Sequence, residues 1–158
     1  MESWTNLITD SESEILTNFI NKINLEDRTD MTFLAIIGSK VKTLKFLLDL
    51  QEFLNPDDCE IIYGNQFNDM DKIELFATNQ SQDNKKIKCL MIETDSEDNK
   101  VSPSIIKQVL GHDNIIRFLQ NDIEITKYIP NIIITFESDE FINLDLGLRR
   151  RCKPIYLN

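Results

Sequence analysis

The chain has 158 residues, of which 41% are hydrophobic and 28% charged, with only four Gly and four Pro. This length and composition predict one folded domain with its own core, and they exclude a disordered or fibrous protein. Because 17 Lys and Arg stand against 27 Asp and Glu, the net charge is −10, which excludes indiscriminate binding to nucleic acid and requires any contact with DNA to be local.

Helical and strand patterns alternate in the first half of the chain. Residues 11–23 place apolar side chains at helical spacing and predict an amphipathic helix. The apolar run Met31–Ile37 predicts a strand buried on both faces, and the apolar stripe of Thr43–Leu54 predicts a buried helix. Cys59–Tyr63 predicts a second strand, and Asp69–Phe76 predicts a further helix.

The second half of the chain contains three more apolar runs of strand length. They are Ile87–Ile92, Asn131–Phe136 and the shorter Pro154–Leu157. Buried strands that alternate with helices predict a mostly parallel sheet in a three-layer α/β domain. We assign residues 1–30 to an N-terminal helical segment and residues 31–158 to this domain.

A helix and a hairpin are predicted between these strands. Ser102 and Pro103 provide an N-cap and a first helical residue, and Gly111 provides a C-terminal stop. Residues 114–120 and 123–129 alternate apolar and polar side chains across a two-residue connection, which predicts a β-hairpin.

The cysteines and the first residues of the chain indicate the cellular compartment of the protein. Cys59, Cys89 and Cys152 lack the CxxC or CxxH spacing of metal sites and predict buried, reduced thiols. The first residues lack a basic and apolar leader, and no apolar run approaches the ~20 residues that a membrane span needs. The sequence therefore predicts an intracellular protein without a membrane partner.

The connection between the first predicted strand and the next helix is a candidate phosphate-binding loop. Such a loop needs glycines that let backbone N–H groups wrap phosphates, a Lys that reaches them and a Ser or Thr for Mg²⁺. Lys42 and Thr43 meet the last two needs, whereas Val41 and Ile36 occupy positions where glycine is expected. The alternative is a basic helix N-terminus after a tight turn. The candidate nucleotide-binding residues are Gly38, Ser39, Lys40, Val41, Lys42 and Thr43.

Carboxylates follow the third predicted strand. Glu93 ends that strand, and Asp95 comes two residues later. With Thr43, these acids are candidate Mg²⁺ ligands, and Glu93 is a candidate for polarising the attacking water in phosphoryl transfer. The alternative is that both acids simply begin a loop.

A family resemblance begins at Lys107. The pattern Ile106-Lys107-x-x-x-Gly111-x-Asp113 resembles the B′ motif of superfamily 3 helicases, the AAA+ motors of viral and plasmid replication, except that His112 replaces a second Gly. In that family the motif is followed by a hairpin that contacts DNA. The resemblance therefore implies that Lys107, Arg117 and Lys127 bind DNA.

The resemblance continues in the C-terminal part. The family's sensor strand ends in Asn and is followed by an arginine finger that reaches the nucleotide of a neighbouring subunit. Here Phe136 or Glu137 takes the place of that Asn, and an arginine run follows at similar spacing. Arg149 and Arg150 are the implied finger residues, which act with Glu93 in catalysis.

The resemblance covers about residues 31–157. Within the superfamily, this part of the chain resembles in particular the helicase half of the primase-helicases of large DNA viruses. It implies a P-loop NTPase (AAA+) domain with a β-hairpin insertion, with ATP and Mg²⁺ as cofactors. It also implies single-stranded or forked DNA as a partner, self-association or a larger helicase or replication protein, and a location in the cytoplasm or at a viral replication site. Three functions remain open: an ATP-dependent helicase-type motor, an inactive relative that assembles with a replication complex, and an acidic α/β domain with accidental motif matches.

Overall fold

Helices and strands alternate along the computed structural model, which describes residues 8–25, 32–68, 87–94, 100–110, 115–120, 123–128 and 130–157. Its helices are α1 (Asp10–Leu25), α2 (Lys40–Leu54), α3 (Gly64–Phe67), α4 (Pro103–Leu110), α5 (Ser138–Ile142) and α6 (Leu146–Arg149), with a 3-10 turn at Pro56–Asp58. Its strands are β1 (Phe33–Ile37), β2 (Cys59–Tyr63), β3 (Cys89–Glu93), β4 (Ile115–Gln120), β5 (Ile123–Tyr128), β6 (Asn131–Phe136) and β7 (Cys152–Tyr156).

Five of the strands form one sheet in the order β2-β3-β6-β1-β7. Every neighbouring pair in this sheet is parallel. Strands β1, β3 and β6 are buried at every residue, which is expected of central strands with helices on both faces. The predicted parallel α/β architecture is confirmed.

Helices cover both faces of this sheet because the chain reverses its direction across the sheet at the edge strand β2. It runs from β1 to the edge strand β2, and then returns through β3 and β6 to β7. Right-handed crossovers in opposite directions place their helices on opposite faces. Leu34 and Ile36 of β1 pack with α1 and α2, which contribute Phe19 and Phe46. The alternate β1 side chains face α3 to α6. We call these the α2 face and the α4 face.

The start of α2 differs from the prediction. The helix begins at Lys40 rather than at Thr43, so the strand and the helix are joined by Gly38 and Ser39 alone. Ser39 has the extended backbone of an N-cap, and its carbonyl accepts a hydrogen bond of 2.9 Å from the Thr43 amide. Lys, Val and Thr side chains can continue this first turn, whereas glycines would have favoured a loop. The predicted helix start at Thr43 is wrong, and the connection matches the alternative of a basic helix N-terminus after a tight turn.

Most other predicted elements are confirmed, with shifted ends. The helix at residues 11–23 extends to Asp10–Leu25, and the strands Cys59–Tyr63 and Asn131–Phe136 have the predicted bounds. Strands β4 and β5 pair antiparallel, with Gln120 opposite Ile123. The helix predicted at residues 69–76 lies outside the described residues. Within the described ranges, no helix is both long and apolar enough to traverse a bilayer.

Candidate functional site

The carboxyl edge of the sheet carries the candidate phosphoryl-transfer residues. The Gly38 amide donates to the Phe136 carbonyl at 3.0 Å, which holds the turn after β1 against the end of β6. Strand β3 is the next neighbour of β6, and Glu93 is its last residue. Two strand spacings separate Gly38 from Glu93, or roughly 10 Å. The turn and the acid therefore share one edge, with β6 between them.

Glu93 also shares a face with α2. Side chains alternate along a strand, so Glu93 lies on the side of Cys89 and Met91, which pack in the α2-face core. Only 4% of Glu93 is exposed. Its position is fixed by the next residue, since the Thr94 amide donates to the Thr135 hydroxyl at 3.1 Å and the Thr94 hydroxyl donates to the Thr135 carbonyl. This threonine pair fastens the end of β3 to the end of β6.

The first turn of α2 brings two lysines to this edge. Lys40 and Lys42 are exposed there, while Thr43 is buried. A helix N-terminus with lysines favours an anion. The Thr43 hydroxyl, however, donates to the Lys40 carbonyl at 3.1 Å, inside the helix. A Cβ at Gly38 would lie 3.2 Å from Leu157 Cβ, so the turn itself is tightly packed.

The proposed Mg²⁺ ligands form no complete site in the described part of the chain. No group of three His, Cys, Asp or Glu side chains there is arranged to hold a metal ion. Thr43 would have to give up its bond to the Lys40 carbonyl to bind a metal. Asp95 lies outside the described residues.

Lys107, the predicted DNA-binding residue of the B′-like motif, forms an ion pair with Asp145. Its ammonium lies 2.7 Å from the carboxylate, and the pair joins α4 to the start of α6. Asp145 also caps α6, because its carboxylate accepts from the Leu148 amide at 3.3 Å. The hydrogen bond from Lys107 is the main reason that the pKa of Asp145 is lowered. The Lys107 charge is therefore already partly balanced within the chain.

We expect Lys107→Met to raise the pKa of Asp145 toward its ordinary value. The substitution removes the hydrogen bond and the positive charge that favour the carboxylate. NMR titration of the Asp145 carboxyl group measures the shift. Lys100→Met is the matched control, because Lys100 lines the same cavity as Asp145 but is not among the groups that lower this pKa, which should therefore stay unchanged. An unchanged pKa in Lys107→Met would show that the ion pair does not form in solution.

The candidate arginine fingers lie on the other side of the sheet from Glu93. Arg149 and Arg150 are exposed at the end of α6, and the Arg149 guanidinium lies 5.3 Å from the centre of the Phe141 ring. Phe141 belongs to the α4-face core. Arg151 is used internally, since it donates to the Gly147 carbonyl at 2.7 Å. Because the sheet separates Arg149 from Glu93, these two groups could meet only between two chains.

The other predicted DNA contacts belong to the paired strands β4 and β5. Arg117 pairs with Thr126, and Lys127 pairs with Ile116 at the adjacent position in the register. The backbone thus places Arg117 and Lys127 at adjacent register positions of one two-stranded ribbon. Gly111, His112 and Asp113 of the motif lie outside the described residues.

A cavity of about 570 Å³ opens on the α4 face at the carboxyl edge. Phe136, Val101 and Leu144 supply apolar lining, and Asp139 and Glu140 supply carboxylates. Lys42 and Glu93 do not appear among the described residues that line it. Residues 95–99 connect two lining positions and lie outside the described residues. The structure thus separates this cavity from the candidate phosphate site by the thickness of the sheet.

The sequence did not reveal three contacts that lie at the candidate residues or directly beside them. They are Asp145 beside Lys107, Phe141 under Arg149 and Thr135 beside Thr94. An Asp three residues before Leu148 is typical of an N-cap, but this pattern does not predict the contact between Asp145 and Lys107. The threonine pair had no signal in the sequence, since its members are 41 residues apart.

These features define a three-layer α/β domain with a five-stranded parallel sheet and a polar carboxyl edge. No protein-family model matches the chain, and no curated protein matches it either.

Proposed function

We propose that this chain is a superfamily 3 helicase-like domain that serves as an assembly module of a DNA replication complex and does not hydrolyse ATP. The order of its features supports the helicase-like relationship. Lysines in the first helical turn after β1, an acid ending β3 and an arginine run before β7 occur on one parallel sheet. Ligands of such sheets bind beyond the carboxyl ends of the strands.

The two-residue turn between β1 and α2 is the main observation in support of the proposed absence of ATP hydrolysis. A phosphate-binding loop places its first glycine six residues before the lysine, which here is Ile36. Ile36 is fully buried within β1 and pairs with Thr135 and Ile155 of the neighbouring strands. The remaining turn of Gly38 and Ser39 is too short to wrap two phosphates with backbone amides.

The sensor position supports the same conclusion. Phe136 and Glu137 stand where an Asn would orient the attacking water. Phe136 belongs to the apolar α4-face core, and Glu137 is the N-cap residue of α5, where its amide donates to the Glu140 carboxylate at 3.3 Å. Neither residue offers a free amide group to a water molecule. Loss of a polar positioning group costs roughly 10²- to 10³-fold in rate, by analogy with oxyanion-hole donors.

Calorimetric titration with ATP and Mg²⁺ tests this proposal. We expect no Mg²⁺-dependent binding at micromolar nucleotide, and the same result for Lys42→Ala. Lys45→Ala, one turn further along α2, is the matched control for the charge removed. Micromolar ATP binding that Lys42→Ala abolishes and Lys45→Ala retains would overturn the proposal.

One observation favours a second function, the ATP-dependent DNA helicase motor. Glu93 lies on the α2 face at the same edge as Lys42, as phosphoryl transfer requires of a phosphate-binding lysine and an acid near the metal. This function predicts ATP turnover that single-stranded DNA stimulates and that Glu93→Gln removes. Turnover at background level, with and without DNA, would exclude the motor.

Exposed arginines support the assembly role. Arg149 and Arg150 project at the end of α6, and Ile142 and Leu146 nearby in sequence are 66% and 67% exposed. Arginine beside apolar surface is typical of protein interfaces. A replication protein or a second copy of this chain is therefore the proposed partner of this region, and DNA is the proposed partner of the β4 and β5 ribbon.

A further inference from the structure

Two of the three cysteines face each other across adjacent strands. Cys59 is the first residue of β2, Cys89 is the first residue of β3, and the two are register partners. Both side chains belong to the α2-face core, so they point to the same side of the sheet. Both cysteines are free thiols.

The spacing of these residues suits a covalent bond. Neighbouring strands lie about 4.8 Å apart, and disulfides join residues whose Cα atoms are about 4.4–6.8 Å apart. Because β2 is an edge strand, it can approach β3 slightly without moving a further neighbour. The two thiols also influence each other's pKa, which is expected of side chains in close proximity.

We propose that Cys59 and Cys89 form a peroxide-oxidisable dithiol, which closes to a disulfide between β2 and β3. The inference is independent of the function proposed above. It assigns a modification site to a part of the sheet that lies at the amino ends of the strands, away from Gly38 and Glu93.

The chemical environment distinguishes the roles of the two thiols. Interaction with the Cys89 side chain lowers the pKa of Cys59, although partial burial and the Asp58 carboxylate oppose this effect. Burial raises the pKa of Cys89 well above its usual value. Cys59 is also 5% exposed, against 0% for Cys89. Cys59 is therefore the attacking thiol and Cys89 the resolving thiol.

The oxidation balances with hydrogen peroxide as the oxidant. The Cys59 thiolate attacks one peroxide oxygen, the O–O bond breaks, and the departing hydroxide takes a proton to become water. The Cys89 sulfur then attacks the sulfur of the Cys59 sulfenic acid. The S–S bond forms, the S–O bond breaks, and the hydroxyl group leaves as water with the Cys89 proton. The dithiol loses two electrons, and the peroxide gains them.

Cys152 provides an internal control. It packs against the α4-face core, across the sheet from the other two cysteines, and burial raises its pKa to about 11. No thiol partner is paired with it in the described sheet register. The geometry thus predicts selective oxidation of one pair in a chain with three thiols.

Peptide mapping of the full chain tests the proposal. The reduced protein is treated with hydrogen peroxide, the remaining thiols are alkylated, and the protein is digested without reductant. We expect one peptide pair that joins Cys59 to Cys89 and disappears on reduction, while Cys152 is alkylated. Complete alkylation of Cys59 and Cys89, or a bond from either of them to Cys152, would overturn the proposal.

Three variants assign the roles. Cys152→Ser should leave the bond unchanged, and Cys59→Ser should prevent it. Cys89→Ser should also prevent it and should leave a Cys59 sulfenic acid that dimedone traps. Circular dichroism checks folding, and alanine replaces serine where a variant fails to fold. A dimedone adduct on Cys89 in Cys59→Ser, with none on Cys59 in Cys89→Ser, would reverse the assigned roles and contradict the inference.

Discussion

Phe46→Ala is expected to destabilise the domain by about 3–5 kcal/mol, the largest single effect that we predict. Phe46 lies on the inner side of α2, is 1% exposed, and belongs to the core that joins this helix to the sheet. Removing its ring takes away buried apolar area and leaves a cavity between rigid elements. Urea denaturation measures the change, provided that the slope of the transition stays constant.

Phe53→Ala is the matched control, because the same residue type is removed from the same helix. Phe53 is 48% exposed, so its loss should cost about 1 kcal/mol or less. Equal costs at the two positions would contradict the placement of α2 on the sheet. The comparison also bears on the candidate site, since the docking of α2 positions Lys42 and Thr43 at the carboxyl edge.

The sheet could be predicted from the sequence because its central strands are buried on both faces. Such strands are continuous apolar runs, and Ile132, Ile133 and Ile134 give the clearest example. Their alternation with helices indicates parallel pairing without any knowledge of contacts. The strand order could not be predicted, because it depends on which apolar faces pack together across long separations in sequence.

The start of α2 shows how a motif can mislead a boundary. The pair Lys42-Thr43 favoured a loop up to Thr43, whereas Ser39 is a residue type that begins helices. Ser39 has the extended backbone of an N-cap, although its side chain forms no capping hydrogen bond, and the helix begins at Lys40. The same shift changes the interpretation of the site, since Lys42 now belongs to a helix turn and not to a phosphate-wrapping loop.

The short helices α5 and α6 and the polar contacts of the site were also beyond the sequence. Helices of four or five residues contain too few turns to show an apolar period. The pairing of Cys59 with Cys89 depended on the register of two strands that are separated by a long connection. The sequence identified the residues that could carry chemistry, and the topology determined which of them meet.

Thr135→Val is expected to destabilise the domain by about 1–3 kcal/mol, because it leaves a buried amide without its acceptor. The Thr135 hydroxyl accepts from the Thr94 amide at 3.1 Å, and both residues are almost fully buried. Valine preserves the shape of the side chain but cannot accept a hydrogen bond. The cost should appear in urea denaturation, together with faster hydrogen exchange of the Thr94 amide.

Thr135→Ser separates the hydrogen bond from the packing. Serine keeps the hydroxyl acceptor and removes one methyl group, so it should cost about 1 kcal/mol and leave the Thr94 amide protected. Because Thr94 directly follows Glu93, loss of this hydrogen bond should also make the position of Glu93 at the carboxyl edge less fixed. If valine costs no more than serine and the exchange of the Thr94 amide is the same in both variants, then this threonine pair does not hold the ends of β3 and β6 together.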